Sequence, residues 1–411
     1  MSNTTSSPAS GRSGPAAIVG VLLLVLLAAC TPASGEPAAD TGADPGAAVV
    51  ACPNEQPASS GALILLVGVH ANAPRPDVPA MLACEIRTGL QAGNPVSVVA
   101  LDGDPAAVDT IRFASTAKND AAIQDDMTEA ENRVLSAVRG AQATSDGSDL
   151  VAGLNVAADL AASQGSQHAR IVVIDSGLPD RGALNMTTPG MIGADPAEVA
   201  DFLADQRALD KLAGMTVDLV GVGYTTSPQQ PLTPSMVDNV TAILRKSLTA
   251  AGATVRVRPA PRTADAPNTT FVTTPAPLPA TPEFTPNRTT VYDDASALGF
   301  LPDTTVLRDP AAARTVVADL AAWLTTDPGR RASIMGTCAS DGTKAGRKQL
   351  SQQRAEQIKA LLTDLGVAPD QVTTVGAGYI ADPRDRRPDG SFDPANAALN
   401  RSVRITTTEA S

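Results

Sequence analysis

Apolar runs alternate with longer amphipathic stretches between residues 61 and 259. The first run, 62–69, is apolar throughout, as expected of a strand that is buried on both faces of a sheet. Further strands are predicted at 96–101, 111–114, 170–174, 217–222 and 254–257, and helices at 78–92, 121–139, 150–162, 197–212 and 236–251. This alternation predicts an α/β domain at 61–259, with a mostly parallel sheet and helices on both faces.

The regular spacing of apolar residues ends at residue 260. Proline and threonine recur through 260–288 without regular spacing, which predicts an extended linker that holds two domains apart. Order returns in 289–411, with strands predicted at 289–292, 332–335, 372–375 and 402–406 and helices at 310–324 and 350–365. This second domain is predicted to be α+β.

The N-terminus has its own apolar run at 16–29. About 14 residues are too few to span a bilayer, but they are typical of a signal peptide. The run ends in Leu-Ala-Ala-Cys at 27–30, which resembles the lipobox of bacterial lipoproteins. The resemblance implies a signal peptide at 1–29, a lipid membrane anchor on Cys30, and a tether at 30–60 outside the cytoplasm. The alternative is an ordinary secretory signal that a cysteine follows by chance.

Export would place the remaining cysteines where disulfides persist. Cys52 precedes the first predicted strand and Cys84 lies in the helix after it, so we predict a disulfide between them. Cys338 would then be an unpaired thiol, although spacing alone does not determine the connectivity.

Charge and motif content exclude several classes of function. The net charge is −12 and the basic residues form no dense cluster, so nucleic acid is not an expected partner. The chain has two histidines and no Gly-x-Ser-x-Gly, Walker or His-Glu-x-x-His motif. We therefore predict a protein that is not an enzyme and uses no cofactor.

Four motifs follow one another in the second domain: Gly-Thr-Cys-Ala-Ser-Asp-Gly at 336–342, Leu-Ser-Gln-Gln-Arg-Ala at 350–355, Gly-Ala-Gly at 376–378 and Asn-Arg-Ser-Val at 400–403. Their order and spacing resemble those of the OmpA-like family. The resemblance implies binding of peptidoglycan through its diaminopimelate side chain, whose end carries a carboxylate and an ammonium. An arginine can grip the carboxylate, and an aspartate can accept the hydrogen bonds of the ammonium.

The resemblance assigns the arginine role to Arg354, in a helix for which Ser351 is the expected N-cap. The family's aspartate position holds Ala339. Asp341, two residues further along the same loop, is the candidate replacement. The other readings are a ligand of different chemistry, or a domain kept as a scaffold.

Three segments of the first domain, Val-Gly-Val-His-Ala-Asn at 67–72, Ser-Asp-Leu at 148–150 and Ile-Asp-Ser-Gly at 174–177, resemble the metal-binding segments of von Willebrand factor A domains. Gly68 stands in place of the aspartate and His70 in place of the first serine. Asn72, Ser148 and Asp175 remain as oxygen donors, but a hard divalent cation prefers more carboxylates. No metal site is predicted.

These observations predict a non-enzymatic cell-envelope lipoprotein that links membrane and cell wall. The first domain would contact an unidentified envelope protein through the loops at the carboxyl ends of its strands. The alternative is an envelope hydrolase or ligand-binding receptor that uses the first domain, with the second domain only localising it.

Overall fold

The computed structural model describes residues 61–260, 265–279 and 282–409. The predicted signal peptide, the tether, Cys30 and Cys52 lie outside these residues. Within the described ranges, no helix combines the length and the apolar character needed to cross a bilayer.

The first domain is built on a six-stranded sheet. Its strands are β1 Leu63–Gly68, β2 Val96–Leu101, β3 Ala106–Ile111, β4 Arg170–Ile174, β5 Thr216–Val220 and β6 Thr254–Arg258. They lie in the order β3-β2-β1-β4-β5-β6, and all neighbours pair in parallel except β3, which runs antiparallel to β2. The central β1 is buried along its whole length, which explains its uninterrupted apolar sequence.

Helices cover both faces of this sheet. They are α1 Ala80–Gln91, α2 Asp120–Gly140, α3 Leu150–Ser163, α4 Pro196–Asp205 and α5 Pro234–Ala250. Alternate residues of β1 point to opposite faces, so Leu65 packs with residues of α1 and α2 while Leu66 packs with residues of α3 to α5. The predicted α/β class, with a mostly parallel sheet, is confirmed.

Two predicted elements of this domain have different boundaries. The third strand is β3 Ala106–Ile111 rather than 111–114, because five of its six residues are exposed at the sheet edge and produce no apolar run. The helix predicted at 197–212 ends at Asp205. Arg207 has a left-handed backbone (φ 53°) that no α-helix continues through, and a short 3₁₀ turn, Asp210–Leu212, follows.

The C-terminal domain contains a four-stranded sheet in the order β7-β10-β8-β9. The strands are β7 Thr289–Tyr292, β8 Arg331–Thr337, β9 Val372–Gly378 and β10 Val403–Thr408, and the helices are α6 Pro310–Val316, α7 Ala318–Thr325, α8 Lys344–Asp364 and α9 Pro394–Asn400. Strand β10 runs antiparallel to β7 and β8, whereas β8 and β9 are parallel. Ile334 of β8, Ile358 of α8 and Ile405 of β10 lie together in its aliphatic core.

The start of α8 corrects the prediction for Ser351. The helix begins at Lys344, two turns before the predicted start at 350, and its N-cap is Thr343, whose hydroxyl accepts a hydrogen bond from the Gly346 amide (3.1 Å). The first two turns are mostly polar, so hydrophobic spacing did not reveal them. Ser351 therefore lies inside the helix, and Arg354 is too far from its N-terminus for the helix dipole to assist anion binding there.

The described part of the linker contains no helix or strand, and it does not hold the domains apart. Residues 265–279 lie along the α/β domain, and Thr273 is 1% exposed. The Thr274 amide donates to Asp180 Oδ2 and the Ala276 amide to Gln229 Oε1, both at 2.7 Å. The domains also meet directly, because Ala395 and Ala398 of α9 belong to the hydrophobic core of the α/β domain. The expected spacer is instead a packed segment.

Candidate functional site

A cavity of about 760 Å³ lies between the two domains. The C-terminal domain contributes the loop after β8, the exposed side of α8, and residues around Phe300. The α/β domain contributes the first turn of α4 and part of α5. We call this space the interdomain cavity.

Arg354 lies at this cavity, on α8, and only 5% of its surface is exposed. Its Nε donates to the carbonyl oxygen of Thr304 (2.9 Å), and its guanidinium carbon lies 5.0 Å from the centre of the Phe300 ring. Burial lowers the pKa of Arg354 from its ordinary value, against the raising effect of nearby acidic groups such as Asp294. The side chain is thus a positive charge held in one orientation at the cavity wall.

The loop after β8 brings Ala339 and Asp341 to the same cavity. Asp341 is exposed, whereas Ala339 is 5% exposed and presents a methyl group where the family resemblance expects a carboxylate. The loop is held by the Ser340 amide, which donates to Asp385 Oδ2 (2.6 Å), and by Arg347 Nη1, which donates to the Ser340 carbonyl (2.8 Å). The structure therefore brings the predicted pair Arg354 and Asp341 to one site.

Ser351 is fully buried, and it is not among the residues that line the interdomain cavity. Its hydroxyl accepts a hydrogen bond from the Gly378 amide (2.9 Å) and donates to the Lys348 carbonyl (3.0 Å). The motif glycines of β8 and β9 permit the close approach of α8: a Cβ on Gly336 would lie 2.1 Å from the Ser351 carbonyl oxygen, and one on Gly376 2.5 Å from the Gln352 nitrogen. Much of the motif pattern thus serves helix–sheet packing.

Sequence reasoning missed Glu198 and Arg401 as cavity residues. Arg401 Nη2 donates a short hydrogen bond to Glu198 Oε1 across the domain boundary, and the two side chains are 16% and 21% exposed. Burial raises the pKa of Glu198 despite the opposing effect of Arg401, and the neighbouring carboxyls of Asp195 and Asp294 add to the rise. The two residues lie 203 positions apart, so no local pattern connects them.

Asp294 is a second missed cavity residue. It is 5% exposed and accepts a hydrogen bond from Arg308 Nη2 (3.0 Å). Burial raises the pKa of Asp294 more than the positive charges of Arg308, Arg401 and Arg354 lower it. The cavity wall therefore carries charges of both signs that only partly neutralise one another.

A second polar group lies at the carboxyl edge of the six-stranded sheet. We call it the sheet-edge cluster; its members are His70, Asn72, Ser148, Asp175 and Ser176, and all are at most 3% exposed. His70 Nε2 lies 2.7 Å from Asp175 Oδ1, and Asp175 Oδ2 accepts from the Gly177 amide (2.8 Å). Burial would raise the pKa of Asp175, but the charge and hydrogen bond of His70 and the amides of Gly177 and Ser176 outweigh it, so that the pKa is lowered.

The pairing of His70 with Asp175 explains Gly68. A Cβ at this position would lie 2.2 Å from Asp175 Oδ1, so any larger residue would displace that carboxylate. Across the described residues, no group of three or more His, Cys, Asp or Glu side chains is arranged to hold a metal ion.

The linker covers the sheet-edge cluster. Asn72 Nδ2 donates to the Thr274 carbonyl (3.2 Å). Asp180 accepts from the Ser148 amide through Oδ1 and from the Thr274 amide through Oδ2, each at 2.7 Å. The predicted residues of this edge are thus brought together, but beneath the chain's own linker.

The cysteines occupy separate environments. Cys338 is a free thiol on the wall of the interdomain cavity, with 5% exposure. Cys84 lies in α1 and is disulfide-bonded. Its predicted partner, Cys52, lies outside the described residues, so this pairing stays a prediction.

The C-terminal α+β part of the chain presents a fixed arginine to a cavity that it shares with the α/β part. Residues 299–396 match the model of the OmpA family, so the C-terminal domain is OmpA-like. No match was found among curated protein sequences.

Among solved structures, the chain is similar to the OmpA-like domain of FopA1 from Francisella tularensis subsp. tularensis SCHU S4 (17% identity, 30% of this chain and 71% of that chain, TM-score 0.23). It is also similar to the peptidoglycan-associated lipoprotein from Burkholderia pseudomallei (26% identity, 29% of this chain and 90% of that chain, TM-score 0.23). A third similar structure is the periplasmic domain of Helicobacter pylori MotB (15% identity, 31% of this chain and 80% of that chain, TM-score 0.24).

Proposed function

We propose that this protein is a non-enzymatic cell-envelope lipoprotein that binds peptidoglycan through its OmpA-like domain. The observation that carries the proposal is the position of Arg354 at the interdomain cavity, inside a segment that matches the OmpA family. Cys30, as the proposed lipid attachment point, would tie the other end of the chain to a membrane. The protein would then connect membrane and wall.

The chemistry of the cavity fits the end of a diaminopimelate side chain. The guanidinium of Arg354 has further N–H groups beyond those that bind the carbonyls of Thr304 and Leu301, and these can donate to a carboxylate. Asp341, at the same cavity, can accept hydrogen bonds from an ammonium group. A methyl group at Ala339 leaves room for the ligand but adds no charge.

For the α/β domain we propose a von Willebrand A-like module that contacts another envelope protein. The antiparallel edge strand β3 and the residues at the carboxyl edge of β1 and β4 support this proposal. The alternative, a hydrolase or receptor site at that edge, is less well supported, because His70 and Asp175 are buried and paired with each other and the linker is hydrogen-bonded to the neighbouring Asn72.

The test is co-sedimentation of the full chain with insoluble peptidoglycan. Arg354→Ala is expected to abolish sedimentation, whereas Arg314→Ala, which removes an exposed arginine of α6, should leave it unchanged. Ala339→Asp should increase it by adding a second carboxylate opposite Arg354. Equal sedimentation of the parent and Arg354→Ala would refute the proposal.

A further inference from the structure

The wall of the interdomain cavity is shared between the two domains. On the side of the α/β domain, Glu198 of α4 and Arg245 and Lys246 of α5 line it, opposite Arg354 and Arg401 of the OmpA-like domain. A ligand held by Arg354 therefore lies within reach of charges that the OmpA-like domain does not itself supply.

Glu198 has one carboxylate oxygen that lacks a hydrogen-bond partner within the described residues. Its Oε1 receives the hydrogen bond from Arg401, whereas Oε2 is buried and has no hydrogen-bond partner within the described part of the chain. A buried carboxylate oxygen without a donor is unfavourable unless a ligand completes its hydrogen bonding. The raised pKa of Glu198, which burial causes, agrees with this incomplete pairing.

Other buried carboxylates of the cavity are already engaged. Asp195 caps α4, with Oδ1 accepting from the amides of Ala197 (2.8 Å) and Glu198 (3.3 Å). Asp294 is paired with Arg308. Glu198 differs from both because its second oxygen is buried and has no hydrogen-bond partner within the described residues.

We propose that Glu198 of the α/β domain supplies the carboxylate that position 339 lacks, so that both domains together form the site for a zwitterionic diaminopimelate end. Arg354 and Arg401 hold the ligand's carboxylate, and the Glu198 side chain turns so that Oε2, which is buried without the ligand, accepts from its ammonium, with Asp341 at the cavity rim. This inference rests on the proposed function. It adds a consequence: the OmpA-like domain recognises the wall peptide fully only while it is packed against the α/β domain.

The test uses the full chain and three tripeptides, L-Ala-γ-D-Glu-X, in isothermal titration. X is meso-diaminopimelate, L-lysine, which lacks the distal carboxylate, or L-2-aminopimelate, which lacks the distal ammonium. The variants are Glu198→Gln, which keeps an oxygen for Arg401, and Asp201→Asn, which removes an exposed carboxylate on the same helix. Melting temperatures confirm that each variant is folded.

The parent should bind the diaminopimelate peptide most tightly. Glu198→Gln should weaken this binding about tenfold, the loss expected for one charge-assisted hydrogen bond. The same variant should bind the 2-aminopimelate peptide as the parent does, since that peptide has no distal ammonium for Glu198 to contact. Asp201→Asn should match the parent with every peptide.

Three results would overturn the inference while leaving peptidoglycan binding intact: unchanged affinity of Glu198→Gln for the diaminopimelate peptide, an equal loss with all three peptides, or tighter binding. Tighter binding would mean that Glu198 and Arg401 close the cavity against the ligand. If the parent and Arg354→Ala are alike with the tripeptide and with peptidoglycan, the proposed function itself fails and this inference fails with it.

Discussion

The sheet-edge cluster and the interdomain cavity both contain buried carboxylates, and they differ in how completely those carboxylates are paired. In the cluster, the carboxylate of Asp175 is paired with His70 and with backbone amides, and the linker is hydrogen-bonded to Asn72. In the cavity, Glu198 is bound through one oxygen only, and burial raises its pKa. The first region pairs both oxygens of its carboxylate, although one side-chain atom each of His70, Asn72, Ser148 and Ser176 has no hydrogen-bond partner among the described residues. In the second region the atom without a partner is a carboxylate oxygen, Glu198 Oε2.

This difference separates two uses of buried charge. A buried charge is tolerated when another group of the protein pairs with it. Such a charge contributes to stability, because its removal leaves the partner buried and unpaired. A buried charge that is incompletely paired costs stability and marks a position where a ligand can supply what is missing. Charge removal should therefore destabilise the fold at the sheet-edge cluster and spare it at the cavity.

The largest effect is expected for Asp175→Ala. Removal of this carboxylate leaves His70 buried without its partner, so the free energy of unfolding should fall by about 3 kcal/mol. Because the folded pKa of Asp175 is lowered, its stabilising contribution is complete above the unfolded value of about 4 and is lost as the pH falls through the folded pKa. Urea unfolding across pH 2–7 measures this, and a constant difference between variant and parent would contradict it.

A smaller loss is expected for Asp180→Ala, which leaves the amides of Ser148 and Thr274 without an acceptor. The cost should be about 2 kcal/mol, because buried donors cannot turn to water. The matched control is Asp146→Ala: its carboxylate accepts from the Val272 amide (2.8 Å) at an exposed position, where water can replace it. Hydrogen exchange of residues 272–276 should accelerate strongly in the first variant and slightly in the second. Equal acceleration of hydrogen exchange in the two variants would show that the linker does not protect the sheet-edge cluster from solvent.

Cys338→Ala should change the free energy of unfolding by less than about 1 kcal/mol. The thiol lies on the wall of an existing cavity, and its sulfur is 3.6 Å from the Arg347 carbonyl, so little contact is lost. Thermal unfolding is the measurement. A loss as large as that of Asp175→Ala would mean that the cavity wall is as tightly packed as the sheet edge.

The smallest effect, and of opposite sign, is expected for Glu198→Gln. A raised folded pKa means that the folded state binds a proton more tightly than the unfolded chain, so ionised Glu198 opposes folding once the pH exceeds that pKa. The melting temperature at neutral pH should stay the same or rise only slightly, because loss of the ion pair with Arg401, whose pKa burial would lower but Glu198 raises, offsets most of the gain. Asp201→Asn provides the comparison on the same helix. A clear fall would show that Glu198 serves the fold rather than a ligand.

Hydrophobic spacing predicted most elements where burial dictates the residue type. Strand β1 was recognisable because both of its faces are buried, and β3 was misplaced because its edge position requires few apolar side chains. The helix α8 was placed two turns late for the same reason, since its first turns are polar. The motif around Arg354 identified cavity residues of the OmpA-like domain, but it identified none of the α/β domain.

The sequence by itself determined the two fold classes and the place of Arg354 in its motif, since each depends on local spacing or on residues close together in the chain. Only the tertiary structure decided that the linker covers the sheet-edge cluster and that Glu198 meets Arg401. Both depend on how whole domains pack, and residues 203 positions apart leave no periodic signal of their contact. The same packing turns a one-domain arginine site into a cavity with charges from both domains.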